Sequence, residues 1–350
     1  FPNQPDSIMY YLNKKDTMKV YDWKNSGEMT KYWSSMDSLD YYKRILRAGM
    51  MAMDPRTGQI KAWVGGLDYE YFKYDHVKQG KRQPGSTFKP IVYAAAIDDS
   101  TFNMGPCDVI QDKPFSKKSL ENGVTKEWRP KNSNGYWTYA HMTLRRALAQ
   151  SVNSITAELT DQLGAEKVVQ YAKKLGISTP LQAVPSIGLG PFDVSLYDMV
   201  GAYSVFVNDG VYTEPILVNK IEQSNGKVIA EFQPKHRQAI RPESAYLMVH
   251  MLKGGVEEPG GTSGSIKWRY EVSKNNNEIG GKTGTTSNNS DGWFMCITKD
   301  LVLGAWVGGD DRSIHFRSTN LGEGAKTALP IVGSFLEKIY KDKSIGIIAI

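Results

Sequence analysis

Gly49-Met-Met-Ala-Met-Asp-Pro-Arg-Thr-Gly-Gln-Ile-Lys-Ala-Trp-Val-Gly-Gly66 sets two apolar runs on either side of Asp54-Pro55-Arg56-Thr57-Gly58. Proline presets a turn-opening backbone angle and glycine supplies the positive φ that closes a turn, so the stretch reads as a β-hairpin. Far downstream, Gly292-Trp-Phe-Met-Cys-Ile-Thr298 and Leu301-Val-Leu-Gly-Ala-Trp-Val307 flank Lys299-Asp300 and read as a second hairpin. The two hairpins are expected to share one sheet. Between them, Pro90 to Asp98, Thr143 to Leu163 and Ala165 to Leu175 carry apolar residues at helical spacing, with Gly164 and Gly176 as stops. Ser224-Asn225-Gly226-Lys227, between Pro215–Glu222 and Val228–Phe232, reads as a minor hairpin. The Gly-, Ser- and Asn-rich stretch from Gly254 to Gly281 reads as a long surface loop, and a helix from about Ala325 to Lys341 closes the chain. Strands outside with helices between and after them predict an α/β fold: an antiparallel β-sheet sandwiched by helices, with a largely helical insertion.

The remaining composition narrows the class of protein. The chain has 350 residues, 40% hydrophobic and 23% charged, the profile of a folded chain with a sizeable core. No repeat period argues for a solenoid. Residues 1–45, rich in Tyr, Trp, Lys and Asp without a clean period, read as a linker or small subdomain, and residues 46–350 as the main domain. The net charge of +6 is spread over interleaved Lys, Arg, Asp and Glu, so runs such as Lys117-Lys118 and Lys173-Lys174 read as solvated faces and no nucleic-acid partner is expected. The apolar stretches fall far short of the roughly 20 residues that span a bilayer. The start at Phe1, without a basic leader or apolar signal core, reads as a fragment or processed form. Cys107 and Cys296 permit one disulfide, and Cys296, in an apolar run, reads as a small buried hydrophobe.

The chemistry is expected from three short patterns. Ser86-Thr87-Phe88-Lys89 follows Pro84-Gly85 and opens the helical stretch at Pro90, which puts Ser86 near a helix start with Lys89 on the same face. A serine hydroxyl becomes nucleophilic when a base takes its proton, and a lysine can serve if burial and a second cation lower its pKa. The pattern alone is weak, since it recurs at Ser224 in the Asn-Gly turn. Ser151-Val152-Asn153 adds a hydroxyl and an amide on a helical segment, suited to relaying a proton and orienting a substrate amide, although S-x-N also occurs at Ser273, Ser287 and Ser318. Lys282-Thr283-Gly284, followed by Thr285 and Thr286 at a strand edge, offers a cation and hydroxyls to a carboxylate, with Gly284 allowing close approach to the backbone. A phosphate-loop reading fails because Asn276 stands where its first glycine belongs. His76, His141, His236, His250 and His315 are widely separated, so no metal or other cofactor is expected. The order S-x-x-K, S-x-N, K-T-G is the strong signal.

These residues resemble the transpeptidase domain of class A (bifunctional) penicillin-binding proteins over roughly residues 45–340. Arg82-Gln-Pro-Gly-Ser-Thr-Phe-Lys-Pro-Ile-Val-Tyr93 is similar to that family's nucleophile block and Leu144-Arg-Arg-Ala-Leu-Ala-Gln-Ser-Val-Asn153 to its second. Gly281-Lys-Thr-Gly-Thr-Thr286 with Asp291-Gly-Trp-Phe294 and Gly304-Ala-Trp-Val-Gly308 is similar to the third, and Pro185 through Gly210 to the stretch between. No stretch resembles the glycosyltransferase half of such proteins, and residues 1–45 resemble the joining segment. Tyr74-Asp75-His76-Val77 departs from the F-N-R-A of many members.

The resemblance implies a penicillin-binding and serine β-lactamase-like fold and a peptidoglycan D,D-transpeptidase inhibited by β-lactams. Carried over by position, Ser86 attacks the carbonyl between the last two D-alanines of a stem pentapeptide and Lys89 is its base. Ser151, held by Asn153, passes the proton to the leaving amine, and Asn153 also holds the substrate amide. Lys282, Thr283 and Thr285 bind the terminal carboxylate, and the backbone N–H groups of Ser86 and Thr285 form the oxyanion hole. The implied partners are stem pentapeptides on lipid-linked precursor strands and β-lactams. The implied setting is the bacterial cell envelope, on the periplasmic side of the inner membrane, with the full-length protein anchored there beside cell-wall assembly partners. The alternatives are a D,D-carboxypeptidase, a serine β-lactamase, whose E-x-x-L-N signature is absent with Glu166 read as a helix-start acid, and a β-lactam-sensing receptor module. Trp128-Arg129-Pro130 and Tyr136-Trp137 are expected at the groove rim.

Overall fold

A computed structural model describes residues 5–24, 27–121, 124–272 and 277–346. Its centre is a five-stranded antiparallel sheet formed by β1 (Arg47–Met53), β2 (Ile60–Val64), β3 (Gly280–Thr285), β4 (Asp291–Ile297) and β5 (Val302–Gly308). The strand order is β3-β4-β5-β1-β2, so the two hairpins read from the sequence do share one sheet, joined where Gly304 faces Met51. Residues of β4 and β5 are buried throughout. Such runs lack polar alternation because both faces are covered.

Side chains still alternate between the faces, and the two faces feed two cores. Met51, Met53, Met295 and Trp306 pack into the larger core, whereas Met50, Ala52, Phe294, Cys296 and Leu303 pack into the smaller one. The helices of the larger core are α1 (Lys89–Asp98), α2 (Leu144–Ala149), α3 (Asn153–Leu163), α4 (Ala165–Lys174), α5 (Leu196–Ser204) and α6 (Pro242–Glu257). The smaller core is closed by α7 (Leu329–Lys341), through Leu329, Val332 and Leu336. Every residue from Lys89 to Ile97 is buried, so α1 is a central helix enclosed on all sides.

Three expectations are corrected. The stretch Thr143 to Leu163 is two helices, broken at Gln150–Val152. The stretch from Gly254 to Gly281 is a long loop only in part: α6 runs through Gly254 and Gly255, a short helix spans Ser265–Arg269, and β3 begins at Gly280. Residues 273–276 of that stretch lie outside the described residues. Glycine is a poor helix former, which hid the end of α6, but a Cβ on Gly255 would lie 2.3 Å from the Gly281 carbonyl oxygen, so the helix needs glycine to approach β3. The closing helix begins at Leu329, preceded by turns, and not at Ala325.

Before β1 lie a helix, Pro5–Asn13, an antiparallel ribbon of Lys15–Asp22 with Gly27–Ser34, and a helix, Ser35–Arg44, capped by Ser34 and Asp37. Tyr21 and Tyr42 pack edge-on to Phe72, with ring centroids 5.0 and 5.8 Å away, and the Arg47 guanidinium lies 4.1 Å from the same ring centre. Within Tyr74 to Val77, Val77 is buried and His76 stacks on Trp306 at 4.9 Å, and burial, with nearby Arg47, pushes the His76 pKa down to about 4.

One buried carboxylate ties the strand hairpin to the segment before Ser86. Asp291, wholly buried, accepts through Oδ1 from Arg82 Nε at 2.6 Å and Trp306 Nε1 at 3.0 Å, and through Oδ2 from Ser290 Oγ at 2.6 Å. Arg82 also pairs through its backbone with Val194. Removing one member of a buried pair strands the other's charge. Asp291→Ala is therefore expected to lower unfolding free energy by about 3–5 kcal/mol in urea titrations.

Candidate active site

Ser86 occupies a 3-10 turn, Gly85–Phe88, that runs directly into α1. The sequence placed Ser86 at the helix start, and the structure sets it one tight turn earlier. The first bond of that turn runs from Thr87 N–H to the Pro84 carbonyl, 3.2 Å, so the Gly85 and Ser86 N–H groups precede it and have no acceptor within the turn. Tyr203 Oη donates to the Thr87 carbonyl at 2.7 Å and fixes the turn from below.

Glycines let this turn lie flat on the end of β3. Gly85 has φ +51°, and a Cβ there would lie 2.9 Å from the Thr285 carbonyl oxygen and 3.5 Å from its nitrogen. A Cβ on Gly284 would lie 2.5 Å from the Pro84 carbonyl oxygen. What approaches the Gly284 backbone is thus the serine-bearing turn, where a substrate was expected. This packing sets the backbones of Ser86 and Thr285 side by side.

Ser151 stands at the break between α2 and α3 with φ +60°, a left-handed conformation rare outside glycine and asparagine. The Ser151 N–H donates to the Leu148 carbonyl at 3.1 Å and the Val152 N–H to the Ala147 carbonyl at 3.0 Å. This is a Schellman helix end with serine where glycine is usual. No glycine marked the stop, so the sequence read straight through it.

The bend brings the Ser151 hydroxyl between two buried amines. Lys89 Nζ donates to the Ser151 carbonyl at 2.6 Å, to Asn153 Oδ1 at 2.6 Å and to Ser151 Oγ at 3.2 Å. Lys282 Nζ donates to Ser151 Oγ at 2.9 Å and to the Thr283 carbonyl at 3.0 Å. Lys89 and Lys282 are 0% and 1% exposed. Burial, reinforced by the charge of Lys282, drives the Lys89 pKa well below 10.5, and burial lowers that of Lys282 to about 7. Ser151 is thus held by the two lysines, and Asn153 touches Lys89 where contact with Ser151 was expected.

A cleft of about 870 Å³ opens above this cluster. Ser86, Ser151, Asn153, Thr283 and Thr285 line it, while Lys89 and Lys282 lie beneath its wall. Thr283 Oγ1 donates to Thr262 Oγ1 at 2.7 Å, and Thr285 Oγ1 accepts from the Gly324 N–H at 3.2 Å. Thr262 was missed because it lies in the stretch read as a loop. Lys131, Asn132 and Ser133 line the cleft beside Asn153. Trp128-Arg129-Pro130 and Tyr136-Trp137, expected at the rim, are not among the lining residues; the loop between them is. The cleft's two lining carboxylates are Glu258, paired with Arg145, and Glu323; Glu166 is not among the lining residues and lies in the first turn of α4. Among the described residues no group of three His, Cys, Asp or Glu side chains could hold a metal ion.

Two family models match the chain: the penicillin-binding protein transpeptidase domain over residues 48–300 and the penicillin-binding protein middle domain over residues 2–46. The chain belongs to the penicillin-binding protein transpeptidase family, a class of serine acyltransferase-type enzymes. It is similar to penicillin-binding protein 2D of Bacillus subtilis, 33% identical over 77% of this chain and 38% of that one. It is also similar to penicillin-binding protein 1A of Aquifex aeolicus, 32% identical over 85% of this chain and 38% of the relative. The chain thus spans less than two fifths of the length of these relatives. The crystal structure of penicillin-binding protein 1A from Haemophilus influenzae superposes with a TM-score of 0.75 at 28% identity, over 85% of this chain and 48% of that one. PonA1 of Mycobacterium tuberculosis shares the fold, with a TM-score of 0.69 over 85% of this chain and 78% of that one, at 21% identity. Among the described residues no helix is long and apolar enough to cross a membrane.

Two stability measurements check this geometry. Ser151→Gly and Ser151→Ala both remove the hydroxyl, but only glycine relieves the left-handed backbone, so Ser151→Gly is expected to be the more stable by about 1 kcal/mol. Lys282 holds a proton to 10.5 in the unfolded chain and only to about 7 in the folded one. Between these values the unfolded state binds more protons, so folding stability rises with pH across the window. Replacing Lys282 with Met is expected to flatten that rise in urea titrations from pH 7 to 10.

Proposed function

We propose that this chain is the D,D-transpeptidase unit of a peptidoglycan-synthesising protein acting on the outer side of the bacterial cytoplasmic membrane. Its donor substrate is a stem peptide ending in D-Ala-D-Ala, carried on a glycan precursor strand, and β-lactams are its covalent inhibitors. The observation that carries this reading is the state of the Lys89 amine. It is buried on the helix that follows Ser86, and two acceptors at 2.6 Å, the Ser151 carbonyl and Asn153 Oδ1, engage its N–H groups. A neutral amine has two N–H bonds and one lone pair. With both N–H bonds engaged, the lone pair is left on the side of the third contact, Ser151 Oγ at 3.2 Å, to take a hydroxyl proton.

The steps follow from that arrangement. Ser86 Oγ attacks the donor carbonyl carbon as its proton passes to Lys89 Nζ. The negative oxygen is received by the N–H groups of Ser86 and Thr285, a donor type typically worth about 10²–10³ in rate. The C–N bond then breaks, and the proton passes from Lys89 through Ser151 Oγ to the departing D-alanine amine. Lys282 acts from beneath Ser151, holding its hydroxyl and disfavouring the charge on Lys89, while Thr283 and Thr285 bind the donor's terminal carboxylate. Asn153 Oδ1 orients Lys89, and its Nδ2, which donates one N–H to the Lys131 carbonyl at 2.7 Å, has a second N–H to hold a substrate amide. An acceptor amine attacks the acyl-enzyme carbonyl, forms the cross-link and returns Ser86.

Intact mass after brief exposure to benzylpenicillin tests the reading. The expected result is one long-lived adduct per chain in the wild type and none in Ser86→Ala. Rapid loss of the adduct with hydrolysed drug accumulating would move the assignment to a β-lactamase. No adduct at all would remove Ser86 as the nucleophile.

A further inference from the structure

The Lys89 amine is aimed by Asn153, and the orientation of Asn153 is set by a chain of contacts that ends in a buried carboxylate outside the three motifs. Asp112, 2% exposed, follows the short strand Val109–Gln111, which pairs with His141–Thr143 just before α2. Its Oδ1 accepts from Asn132 Nδ2 at 2.8 Å and Ser154 Oγ at 2.7 Å, and its Oδ2 accepts from Thr138 N–H at 2.8 Å and Thr138 Oγ1 at 2.9 Å. Burial alone would raise its pKa, but the bonds from Ser154, Thr138 and Asn132 together hold it below the ordinary aspartate value. Asp112 is therefore an ionised, acceptor-only group with four donors around it.

An acceptor-only partner decides which way a neighbouring amide faces. Asn132 must turn Nδ2 to Asp112, so its Oδ1 faces the start of α3, where it accepts from the N–H groups of Asn153 at 2.9 Å and Ser154 at 3.2 Å. Those N–H groups have no partner within the helix, and Asn132 caps them from a distant loop. The preceding residue, Lys131, takes Asn153 Nδ2 on its carbonyl at 2.7 Å. With its N–H and Nδ2 both claimed by this loop, Asn153 has Oδ1 left to present to Lys89 Nζ, 2.6 Å away. Asp112 and the Tyr136 carbonyl, 3.2 Å from Asn132 Nδ2, fix Asn132, and the Lys131 carbonyl fixes Asn153, so the loop that Asp112 anchors through Asn132 and Thr138 sets both amides.

We propose that Asp112 is a positioning residue for Lys89, acting through Asn132 and Asn153 to fix the direction of the amine's lone pair. This rests on the role given to Lys89 above. In Asp112→Asn, whichever way the new amide turns, a donor faces Asn132 Nδ2 or the Thr138 N–H, so one of the two ties that anchor the loop of Lys131 and Asn132 is lost. Asn153 can then turn Nδ2 towards Lys89, which both misdirects the lone pair and removes an acceptor from the ammonium form. The charged group that faces Lys89 is Lys282 across Ser151, and it is unchanged in the variant.

The test is the second-order rate constant for acylation by benzylpenicillin as a function of pH, with adduct stoichiometry and thermal unfolding alongside. Asp112→Asn is expected to acylate about 10- to 100-fold more slowly, the loss typical of a partner that orients a functional ligand. The rising limb of the profile moves to lower pH, with the full adduct of one per chain still reached. Ser154→Ala, which deletes one bond to Asp112 but leaves Asn132 in place, keeps the wild-type limb. An unmoved limb in Asp112→Asn overturns the proposal whatever the rate, because loss of folded protein lowers stoichiometry and leaves the limb alone. If Asp112→Asn does not fold, Asn132→Ala breaks the same chain and must show the same shift. If the wild type is not acylated at all, the functional reading fails; nitrogen NMR titration of Lys89 in wild type and variant then decides, a lowered pKa supporting the proposal and an unchanged one overturning it.

Discussion

Two lysine amines enclosed in protein and meeting on one serine hydroxyl set the terms for the rest of the molecule. Neither can keep its ordinary pKa, because burial penalises the charged form of both and the charge of Lys282 further penalises that of Lys89. Excluding water from both takes a helix buried on every side, a strand at the edge of a sheet covered on both faces, and a bend that carries Ser151 between them. Each requirement is met by a different part of the chain. The site is therefore assembled from elements far apart in the chain, the helix from Lys89, the bend at Ser151 and the strand from Gly280.

The supports around the cluster are polar and buried, and they differ in kind. Asp291 works as a brace: Arg82 on one side and Trp306 on the other fasten the segment before Ser86 to the hairpin of β4 and β5. Asp112 works as a director by anchoring, through Asn132 and Thr138, the loop whose Lys131 carbonyl takes Asn153 Nδ2. Ser151 adds local strain, since a residue with a Cβ holds a backbone conformation that glycine prefers. Strain of this sort persists where the surroundings over-determine it, here two helix-end bonds and two lysines.

Local patterns made much of this legible in the sequence. The turn chemistry of Asp54-Pro55-Arg56-Thr57-Gly58 and Lys299-Asp300 identified the hairpins, and apolar spacing identified α1, α3 and α4. The three short motifs named the residues that meet around the cleft. Their depth was not legible: Lys282, expected to face a carboxylate, lies below the cleft wall, and Gly284 faces Pro84. The end of α6 and the break at Ser151 were missed for one reason, a reversal of glycine's usual meaning. Gly254 and Gly255 sit inside a helix for close packing, while the helix stop at residue 151 uses serine. Asp112 and Asn132 carry no local signature, since their partners lie on a helix start that only the tertiary fold brings near.

The seam between the serine-bearing turn and β3 is backbone against backbone except for the Thr87 methyl, which packs over Gly284. Gly85 and Gly284 leave no side chain between Pro84, Ser86 and Thr285, and a Cβ on Gly190 would lie 2.5 Å from the Gly85 carbonyl oxygen on the other side. Side-chain interfaces adapt by trading volume, one residue growing as its neighbour shrinks. Here almost no side-chain volume is available to trade, so substitution has little room to retune the spacing between nucleophile and strand. Adaptation of this cleft to a new occupant has to enter through the walls that carry side chains, the 131–133 loop and the 319–326 segment, while the floor stays fixed.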